Sequence, residues 1–337
     1  MHSCQALWLY SKFSESDLYL SKLDKCQKQE GMQTIMEKRN PADANAITRA
    51  YFDSLLLEMR HFDAVLPDTT LELYGETFAT PVMMAALSHL NNCHPDGLIE
   101  MARGAKAANA VMWAGMGDEA ELEGITATGA KSIKIIKPYA DNKDIFRKIE
   151  HAEACGCIAV GMDIDHQFDW RGQYDVVLDL HMRPKTMEEV KAFVKSTKLP
   201  FIIKGVLSVV DALKCVEAGV QGIVVSHHHG IMGYAVPPLM VLPEIVEAVK
   251  GKLKVFIDCG IETGLDVFKC LALGADAVSI GRAMMGPLTD GGAVAVTNKI
   301  NDINSILAGA MSRTCSPTIT QIDRGIVRPM FAHNPLI

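Results

Sequence analysis

Several features that would place the protein in a common functional class are missing from its sequence. The net charge is −7, so no basic surface for nucleic acid is expected. Neither a signal peptide nor a membrane helix of roughly 18 apolar residues is recognisable. The nine cysteines include no Cys-x-x-Cys pair, which favours free thiols over disulfides or a zinc site. These absences predict a cytoplasmic protein that acts on a small molecule and has no nucleic-acid or membrane partner.

The chain is long and apolar enough for a large core. Of its 337 residues, 49% are hydrophobic, which suits one barrel-sized domain or two ordinary ones. From Thr80 onward one pattern repeats, in which an amphipathic stretch ends in glycine and leads into an apolar run, as in "VEAGVQGIVV" and "LALGADAVSI". A helix that stops at a left-handed glycine before a buried strand has this pattern. We predict an N-terminal lead-in, residues 1–79, packed on a single domain, residues 80–337.

Counting the apolar runs gives eight strands with helical patterns between them. The predicted strands are 81–87, 111–116, 132–137, 158–164, 201–206, 222–227, 254–259 and 277–282. Eight such alternations are typical of an α/β fold of the TIM (β/α)8 barrel type, here with an N-terminal helical extension. An open doubly wound sheet is the alternative, but no GxGxxG motif follows an early strand.

Two segments depart from the regular alternation. The polar and aromatic stretch "HQFDWRGQYDVVLDLHMRPKT", residues 166–186, follows the fourth strand. Active sites of such barrels lie at the carboxyl ends of the strands, so we predict that this insertion is a lid. The residues after Gly291 predict a long closing helix, and the segment that contains "ETFATPVMM" is expected to close the barrel floor or to pack on its side.

Residues at the carboxyl ends of the strands should face the active site. They are Ala85, Ala86, Lys134, Asp163, Asp165, Lys204, His227, His228, His229, Asp258, Gly260, Gly281 and Arg282. The glycines that follow strands seven and eight, together with Arg282, predict a bound phosphate group. The alternative is that these glycines only form tight turns.

Lys204 ends a buried strand, where an unpaired ammonium group would be costly. An anion is therefore expected beside its ammonium group, and the sequence allows several candidates. The anion is a reduced flavin, a phosphate, or a carboxylate of Asp163 or Asp165. Lys204 as the Schiff-base nucleophile of an aldolase is a further alternative.

Three longer segments carry a family resemblance. "TPVMMAALSHLNNCHPDGL", "PFIIKGVLSVVDALKCVEAGVQGIVVSHHHG" and "VFIDCGIETGLDVFKCLALGADAVSIGRAM" resemble the FMN-dependent α-hydroxy acid oxidases and dehydrogenases, the group of glycolate oxidase and lactate oxidase. The resemblance covers about residues 45–330. It implies an FMN-dependent oxidoreductase that forms a homo-oligomer, a tetramer or an octamer. The FMN-binding residues that we predict on this basis are Ala85, Ala86, Lys134, Asp163, Lys204, Ser226, Asp258, Gly260, Gly281 and Arg282.

The resemblance also assigns roles around the three histidines in "GIVVSHHHGIMGY". His228 occupies the position of the general base, Asp165 that of its carboxylate partner, and Lys204 would offset negative charge on the reduced flavin. His227 and His229 would point away from His228 if the strand continued, so no three-histidine metal site is predicted. Contact with the substrate or the flavin is the functional interpretation of these two side chains.

The groups that hold a small carboxylate in this family are replaced. Ile231 stands at the position of the carboxylate-binding arginine, Ile136 is assigned to the position of a tyrosine, and Lys134 to that of a flavin-contacting glutamine. A simple small 2-hydroxy acid is therefore not the expected substrate, unless Arg171, Arg183 or Lys134 supplies a replacement cation. Redox-neutral isomerisation with FMN and a flavin-binding barrel with lost or altered catalysis are the alternative functions.

Overall fold

The described part of the chain, residues 40–330, begins with elements that flank a barrel in this computed structural model. They are helix α1 (Ala44–Asp53) and strands β1 (Leu55–Leu57), β2 (Leu71–Leu73) and β3 (Glu76–Phe78). Helix α1 begins after Asp43, whose carboxylate accepts a hydrogen bond from the N–H group of Asn45. Residues 1–39 of the predicted lead-in lie outside the described residues, and the domain boundary at residue 79 stays a prediction.

Eight parallel strands close into a barrel, which confirms the predicted fold. In chain order the next strands are β4 (Val82–Leu87), β5 (Met112–Ala114), β6 (Ser132–Ile136), β7 (Ala159–Asp163), β8 (Val176–Val177), β9 (Leu180–His181), β10 (Phe201–Val206), β11 (Gly222–Val225), β12 (Lys254–Ile257) and β13 (Ala277–Ile280). All except β8 and β9 belong to the barrel, and β13 pairs with β4 to complete it. Each predicted strand is therefore present, with its ends shifted by at most two residues.

Helices alternate with the barrel strands. They are α2 (Gly97–Ala107), α3 (Glu119–Ala127), α4 (Asn142–Ala154), α5 (Met187–Lys195), α6 (Val209–Glu217), α7 (Pro238–Val249), α8 (Gly264–Ala272) and α9 (Met285–Ser312). The side chains of Thr186, Ser208 and Thr263 accept hydrogen bonds from backbone N–H groups three residues on, so the sequence itself fixes these helix starts. Within residues 40–330, none of the helices has the length and apolar content to cross a membrane.

The last helix confirms the predicted closing helix, with one interruption. The backbone leaves the helical conformation at Gly291 and Gly292, where Gly292 has a φ of 55° that favours glycine. After α9 the chain returns as strand β14 (Val327–Pro329), which pairs antiparallel with β1. This pairing holds the segment before the barrel against the segment after it.

One end of the barrel is filled with aromatic side chains. The rings of Trp113 on β5 and Phe256 on β12 meet edge to face with centroids 5.4 Å apart. Tyr74, in the turn between β2 and β3, lies 6.5 Å from Phe256 and donates its hydroxyl to the carbonyl oxygen of Gln221, just before β11. The β2–β3 hairpin therefore covers the amino-terminal end of the barrel, so the carboxyl end is the one available to a ligand.

The predicted lid, residues 166–186, lies at that carboxyl end. Its strands β8 and β9 form an antiparallel hairpin, and a further antiparallel bridge joins Phe168 to Tyr174. Val177 of the hairpin lines a cavity at the carboxyl ends of the barrel strands. The insertion thus forms part of the wall of this cavity.

Candidate active site

A cavity of about 740 Å³ occupies the carboxyl end of the barrel. Most of the predicted site residues line it: Ala85, Ala86, Lys204, His228, His229, Asp258, Gly260, Gly281 and Arg282. Because the strands are parallel, these residues from five different strand ends converge on one space. Asp163, Asp165 and Ser226 lie behind this lining and contact it through hydrogen bonds and ion pairs.

The histidine segment forms a left-handed turn after the strand. Strand β11 ends at Val225, and His228, His229 and Gly230 follow with φ values of 48°, 60° and 77°. A left-handed conformation costs a residue other than glycine roughly 1–2 kcal/mol. The turn is held because the hydroxyl oxygen of Ser226 accepts a hydrogen bond from the N–H group of His228 at 3.1 Å. The strand does not continue through the histidines, so the condition for alternating side chains is not met, and the turn directs His228 into the cavity.

His228 is bonded to a carboxylate on one side of its ring. Its Nδ1 nitrogen lies 2.8 Å from Oδ1 of Asp165 and 3.6 Å from Oδ1 of Asp163. An ionised carboxylate only accepts hydrogen bonds, so it holds a proton on Nδ1 and leaves Nε2 as the nitrogen that can take a proton. This geometry suits a general base with an orienting carboxylate.

Lys204 lies at the centre of a buried charge cluster. Its Nζ atom is 3.3 Å from Oδ1 of Asp163 and 3.5 Å from Oδ2 of Asp258. Burial alone would lower the pKa of Lys204, but the carboxylates of Asp163 and Asp258 raise it well above its usual value. The same attraction, from Lys204 first and then His228 and Lys137, overcomes burial and holds the pKa of Asp163 below its usual range. A charged ammonium is a poor Schiff-base nucleophile, so the aldolase alternative is disfavoured.

The opposite part of the cavity is built from glycine backbone. Cys259 and Gly260 both have left-handed φ values, 70° and 75°, and both residues line the cavity. A Cβ atom on Gly260 would lie 2.8 Å from Cγ2 of Thr48, so a larger residue does not fit there. Arg282 lines the same region, where its guanidinium donates to the side-chain oxygen of Asn45 at 3.1 Å. Backbone N–H groups and an arginine form a suitable phosphate site.

Lys134 was predicted wrongly as a flavin contact and as a replacement cation. Its ammonium group is buried and donates to the carbonyl oxygen of Gly115, close to Glu121 on α3 and Cys157. It thus lies on the helix side of β6 and does not line the cavity. Burial lowers the pKa of Lys134 to about 8. The cation that reaches the cavity from this region is Lys137, whose Nζ atom lies 2.8 Å from Oδ2 of Asp163.

The two lid arginines do not supply a cation to the cavity either. Arg171 is 65% exposed, pairs with Asp169 at 3.0 Å and stacks on the ring of Trp170. Arg183 donates to Glu189 at 2.6 Å and to the carbonyl oxygen of Ala140. Both guanidinium groups are therefore engaged by local partners away from the cavity, which corrects their predicted contact with a substrate.

The substrate contact predicted for His227 is wrong as well. Its side chain is buried, its Nδ1 accepts from the N–H group of Gly230 at 2.9 Å, and its Nε2 lies 2.8 Å from the hydroxyl of Thr48. This ring therefore holds the left-handed turn against α1. His229 does line the cavity, and its Nδ1 is 2.6 Å from the side-chain oxygen of Asn45.

The cavity residues that were not predicted include Asn45, Arg49, Lys137 and His166. Lys137 directly follows β6, so the principle that residues at the carboxyl ends of the strands face the active site also predicts Lys137. His166 is the first residue of the predicted lid, and its Nε2 lies 3.1 Å from Nε2 of His228. Asn45 and Arg49 come from α1, and no local signal in the sequence places this helix at the barrel mouth.

These features fit FMN. A cavity of about 740 Å³ lies within the roughly 300–1,000 Å³ of typical ligand sites. The Gly260 and Arg282 region would hold the phosphate, while Lys204 would lie beside the flavin ring. The close approach of Thr48 to Gly260 explains why glycine is required at the phosphate end. The donor set is therefore suitable for a flavin mononucleotide.

Comparison with known proteins gives the same assignment. The model of the FMN-dependent dehydrogenase family matches residues 31–188 and 173–329. The chain is 31% identical to a peroxisomal (S)-2-hydroxyacid oxidase of Arabidopsis thaliana, over 77% of this chain and 81% of that protein. It is 32% identical to 4-hydroxymandelate oxidase of Amycolatopsis orientalis, over 66% of this chain and 72% of that protein.

Solved structures agree with the sequence matches. The crystal structure of mandelate oxidase superimposes with a TM-score of 0.77 at 27% identity, covering 92% of this chain and 97% of that one. A mandelate oxidase variant with an FMN adduct gives a TM-score of 0.78 at 28% identity, covering 91% and 98%. The resemblance, the barrel fold and the FMN cofactor predicted from the sequence are thereby confirmed. The chain belongs to the FMN-dependent dehydrogenase family, and it is an oxidoreductase that uses FMN.

Proposed function

We propose that the protein oxidises a hydroxy or related substrate by transfer of a hydride to FMN, with His228 as the base. Bound FMN supplies the hydride acceptor, the N5 atom of the flavin. His228 takes the hydroxyl proton at Nε2, Asp165 orients the imidazole through Nδ1, and Lys204 offsets negative charge near the flavin ring. The observation that carries this proposal is the 2.8 Å contact between Asp165 and His228 at the wall of a cavity that also contains Lys204.

The charges around His228 bear on the substrate class. The ionised side chains there are Lys137, Lys204, Asp163, Asp165 and Asp258. These five side chains sum to one net negative charge while His228 is neutral, and the cavity lining also contains Arg49, Glu262, Arg282 and Lys299. Both ammonium groups are already paired with Asp163, so neither is available as the sole partner of a substrate carboxylate. A carboxylate in this place would therefore be poorly stabilised.

The position of Ile231 supports the same inference. The family resemblance assigns Ile231 to the position of the arginine that binds the substrate carboxylate, and its side chain is apolar and 39% exposed. Losing a bidentate arginine contact costs on the order of 2–5 kcal/mol of binding when the charge pair is buried, and less when it is exposed. We infer that the substrate is a neutral or cationic alcohol or amine, and that a small 2-hydroxy acid is a poor substrate.

An anaerobic screen tests this function. The FMN-loaded protein is mixed with 2-hydroxy acids, neutral alcohols and amines, and the loss of the oxidised flavin absorbance is followed. We expect bleaching by at least one neutral or cationic class and slow bleaching by glycolate and lactate. If no class reduces the flavin, the protein is a flavin-binding barrel with lost or altered catalysis. If glycolate or lactate reduces it fastest, the inference about the substrate class is wrong.

We also propose two further properties of the protein. The composition of the sequence favours a cytoplasmic location, and the family resemblance favours a homo-oligomer, a tetramer or an octamer. Light scattering coupled to size exclusion of the FMN-loaded protein measures the second property, and a monomer would contradict it.

A further inference from the structure

The predicted base is in direct contact with a second histidine on the lid. Nε2 of His228 lies 3.1 Å from Nε2 of His166, and the two rings meet edge to face with centroids 4.3 Å apart. On its other side, Nδ1 of His166 lies 2.8 Å from Oδ2 of Asp175. Two Asp–His pairs, one on the barrel and one on the lid, are therefore joined through their Nε2 nitrogens.

The hydrogen-bond partners of the two rings determine how many protons the pair carries. Each Nδ1 faces a carboxylate that only accepts hydrogen bonds, so each Nδ1 carries a proton. If both rings were neutral, neither Nε2 would carry a proton, and no hydrogen bond could join the two nitrogens across 3.1 Å. A hydrogen bond between the Nε2 atoms requires one additional proton. The pair formed by His166 and His228 therefore carries one positive charge in this arrangement.

The surrounding charges favour that extra proton. The charged groups that face the two rings are Asp163, Asp165, Asp175, Lys137 and Lys204. Three carboxylates against two ammonium groups leave one negative charge for the pair to balance. Burial, followed by the charges of Lys137 and His228, lowers the pKa of His166. Two carboxylates, Asp163 and Asp165, lie within 3.6 Å of Nδ1 of His228, whereas among the described carboxylates His166 contacts only Asp175, and this geometry favours His228 as the donor and His166 as the acceptor.

We propose that His166 is a positioning residue that latches the lid onto the base. In the latched state the Nε2 nitrogen of His228 is already bonded to His166 and carries a proton. The hydroxyl group of a substrate needs this same nitrogen, so it must displace His166 before His228 can act. The inference rests on the proposed function, because only a base in catalysis needs to be blocked and released.

The protons balance over one cycle. Opening of the lid releases the shared proton from His228 to solvent, which leaves a neutral base. This base then takes the hydroxyl proton of the substrate at Nε2. When the product has left, the lid returns and His166 accepts a hydrogen bond from the same proton. One proton taken from the substrate is therefore matched by one proton released at the next opening.

The latch should depend on pH in a defined direction. Because the hydrogen bond between the two Nε2 atoms requires the shared proton, the stabilisation of the closed lid is present at low pH and is lost as rising pH removes that proton. Once that proton is lost, no hydrogen bond joins the two Nε2 atoms and the lid opens more often. Only below the lowered pKa of His166 would a second proton break the contact again.

Limited trypsin digestion measures lid opening without any turnover. Arg171 is exposed near the tip of the lid, and Pro184 after Arg183 blocks cleavage at the neighbouring arginine. Cleavage after Arg171 is followed in the FMN-loaded wild type and in His166→Gln between about pH 6 and 9, which spans imidazole titration. The ratio of the two rates at each pH cancels the pH dependence of trypsin itself.

We expect His166→Gln to be cleaved about fivefold faster than the wild type near pH 6, because a charge-assisted hydrogen bond is about twice as strong as a neutral one. The ratio should approach one near pH 9. His181→Gln is the matched control, since His181 is an exposed histidine of the same lid, and it should follow the wild type at every pH. If His166→Gln misfolds, Asp175→Asn replaces it, because it removes the carboxylate that holds Nδ1 of His166.

A ratio that stays constant with pH would overturn the latch, and so would an equal change in His181→Gln. These outcomes are separate from the proposed function, because the digestion detects no oxidation. If an alcohol reduces the flavin but the lid opens independently of pH, the proposed function is supported and the role of His166 as a latch is rejected.

Discussion

Oδ1 of Asp165 lies 2.8 Å from Nδ1 of His228, and this contact decides which ring nitrogen can accept a proton. The carboxylate holds the Nδ1 proton and would stabilise the imidazolium that forms when Nε2 is protonated. His228 itself is held in a left-handed turn with a φ of 48°. The orientation of the base thus depends on both the turn and the carboxylate.

Replacing Asp165 with Asn should slow flavin reduction by about 10²-fold, within the range of general acid–base catalysis. An amide that presents its oxygen to Nδ1 no longer offsets the charge of the imidazolium. The measurement is the anaerobic rate of flavin bleaching with the best substrate from the screen. Asp179→Asn, an exposed carboxylate of the lid, is the control. Equal rates in Asp165→Asn and the wild type would remove Asp165 from the mechanism.

Replacing Arg282 with Ala should weaken FMN binding. A hydrogen bond to a charged group contributes about 1.5–3 kcal/mol, so the dissociation constant should rise by about tenfold to a hundredfold. Titration of the apoprotein with FMN, followed by flavin fluorescence, gives this constant. Arg313→Ala is a matched control because Arg313 is exposed and hydrogen-bonds within its own helix. Unchanged affinity in Arg282→Ala would place the phosphate elsewhere.

Replacing Asp163 with Asn should destabilise the fold, because Asp163 separates the buried ammonium groups of Lys137 and Lys204. Breaking a buried ion pair by removing one partner costs about 3–5 kcal/mol in the free energy of unfolding. The pKa of Asp163 is held below its usual value, so its contribution is present above about pH 4 and is lost as the pH falls through the folded-state pKa.

Urea unfolding at several pH values measures this effect. The difference in unfolding free energy between the wild type and Asp163→Asn should be largest near neutral pH and should shrink in acid. Asp144→Asn, at an exposed site on α4, should change stability by less than about 1 kcal/mol. A difference that grows as the pH falls would contradict the charge cluster described above.

The substrate charge can be tested with pairs of nearly identical shape. Lactate and lactamide differ mainly in whether a carboxylate or a neutral amide follows the hydroxyl carbon. Because both ammonium groups near His228 are paired with Asp163, we expect lactamide to reduce the flavin with a kcat/KM at least about tenfold higher. A preference for lactate would show that another cation of the cavity, such as Arg49 or Lys299, binds the carboxylate.

The barrel could be predicted because its signals are local. Glycines that end helices and short apolar runs mark each strand, and Ser208 and Thr263 mark helix starts within a few residues. The strand ends then indicated Lys204, His228 and Arg282, all of which line the cavity. These inferences needed no knowledge of contacts distant in the sequence.

The site residues that were predicted wrongly depend on contacts between residues far apart in the sequence, or lie on a strand that is buried on both faces. All five residues of β6 are buried, so the apolar pattern does not tell the inner face from the helix side, and Lys134 was chosen instead of Lys137. The left-handed turn that separates His227 from His228 depends on Thr48 and Ser226. Arg171 pairs with Asp169 two residues before it, whereas Arg183 contacts Ala140, which lies 43 residues away in the sequence.

The most direct test of the account is the anaerobic rate at which a substrate reduces bound FMN in the wild type and in His228→Ala. The account predicts that the variant keeps its yellow colour, because the phosphate region is intact, and that reduction slows by at least about 10²-fold. Reduction at the wild-type rate in the FMN-loaded variant would contradict the assignment of His228 as the base.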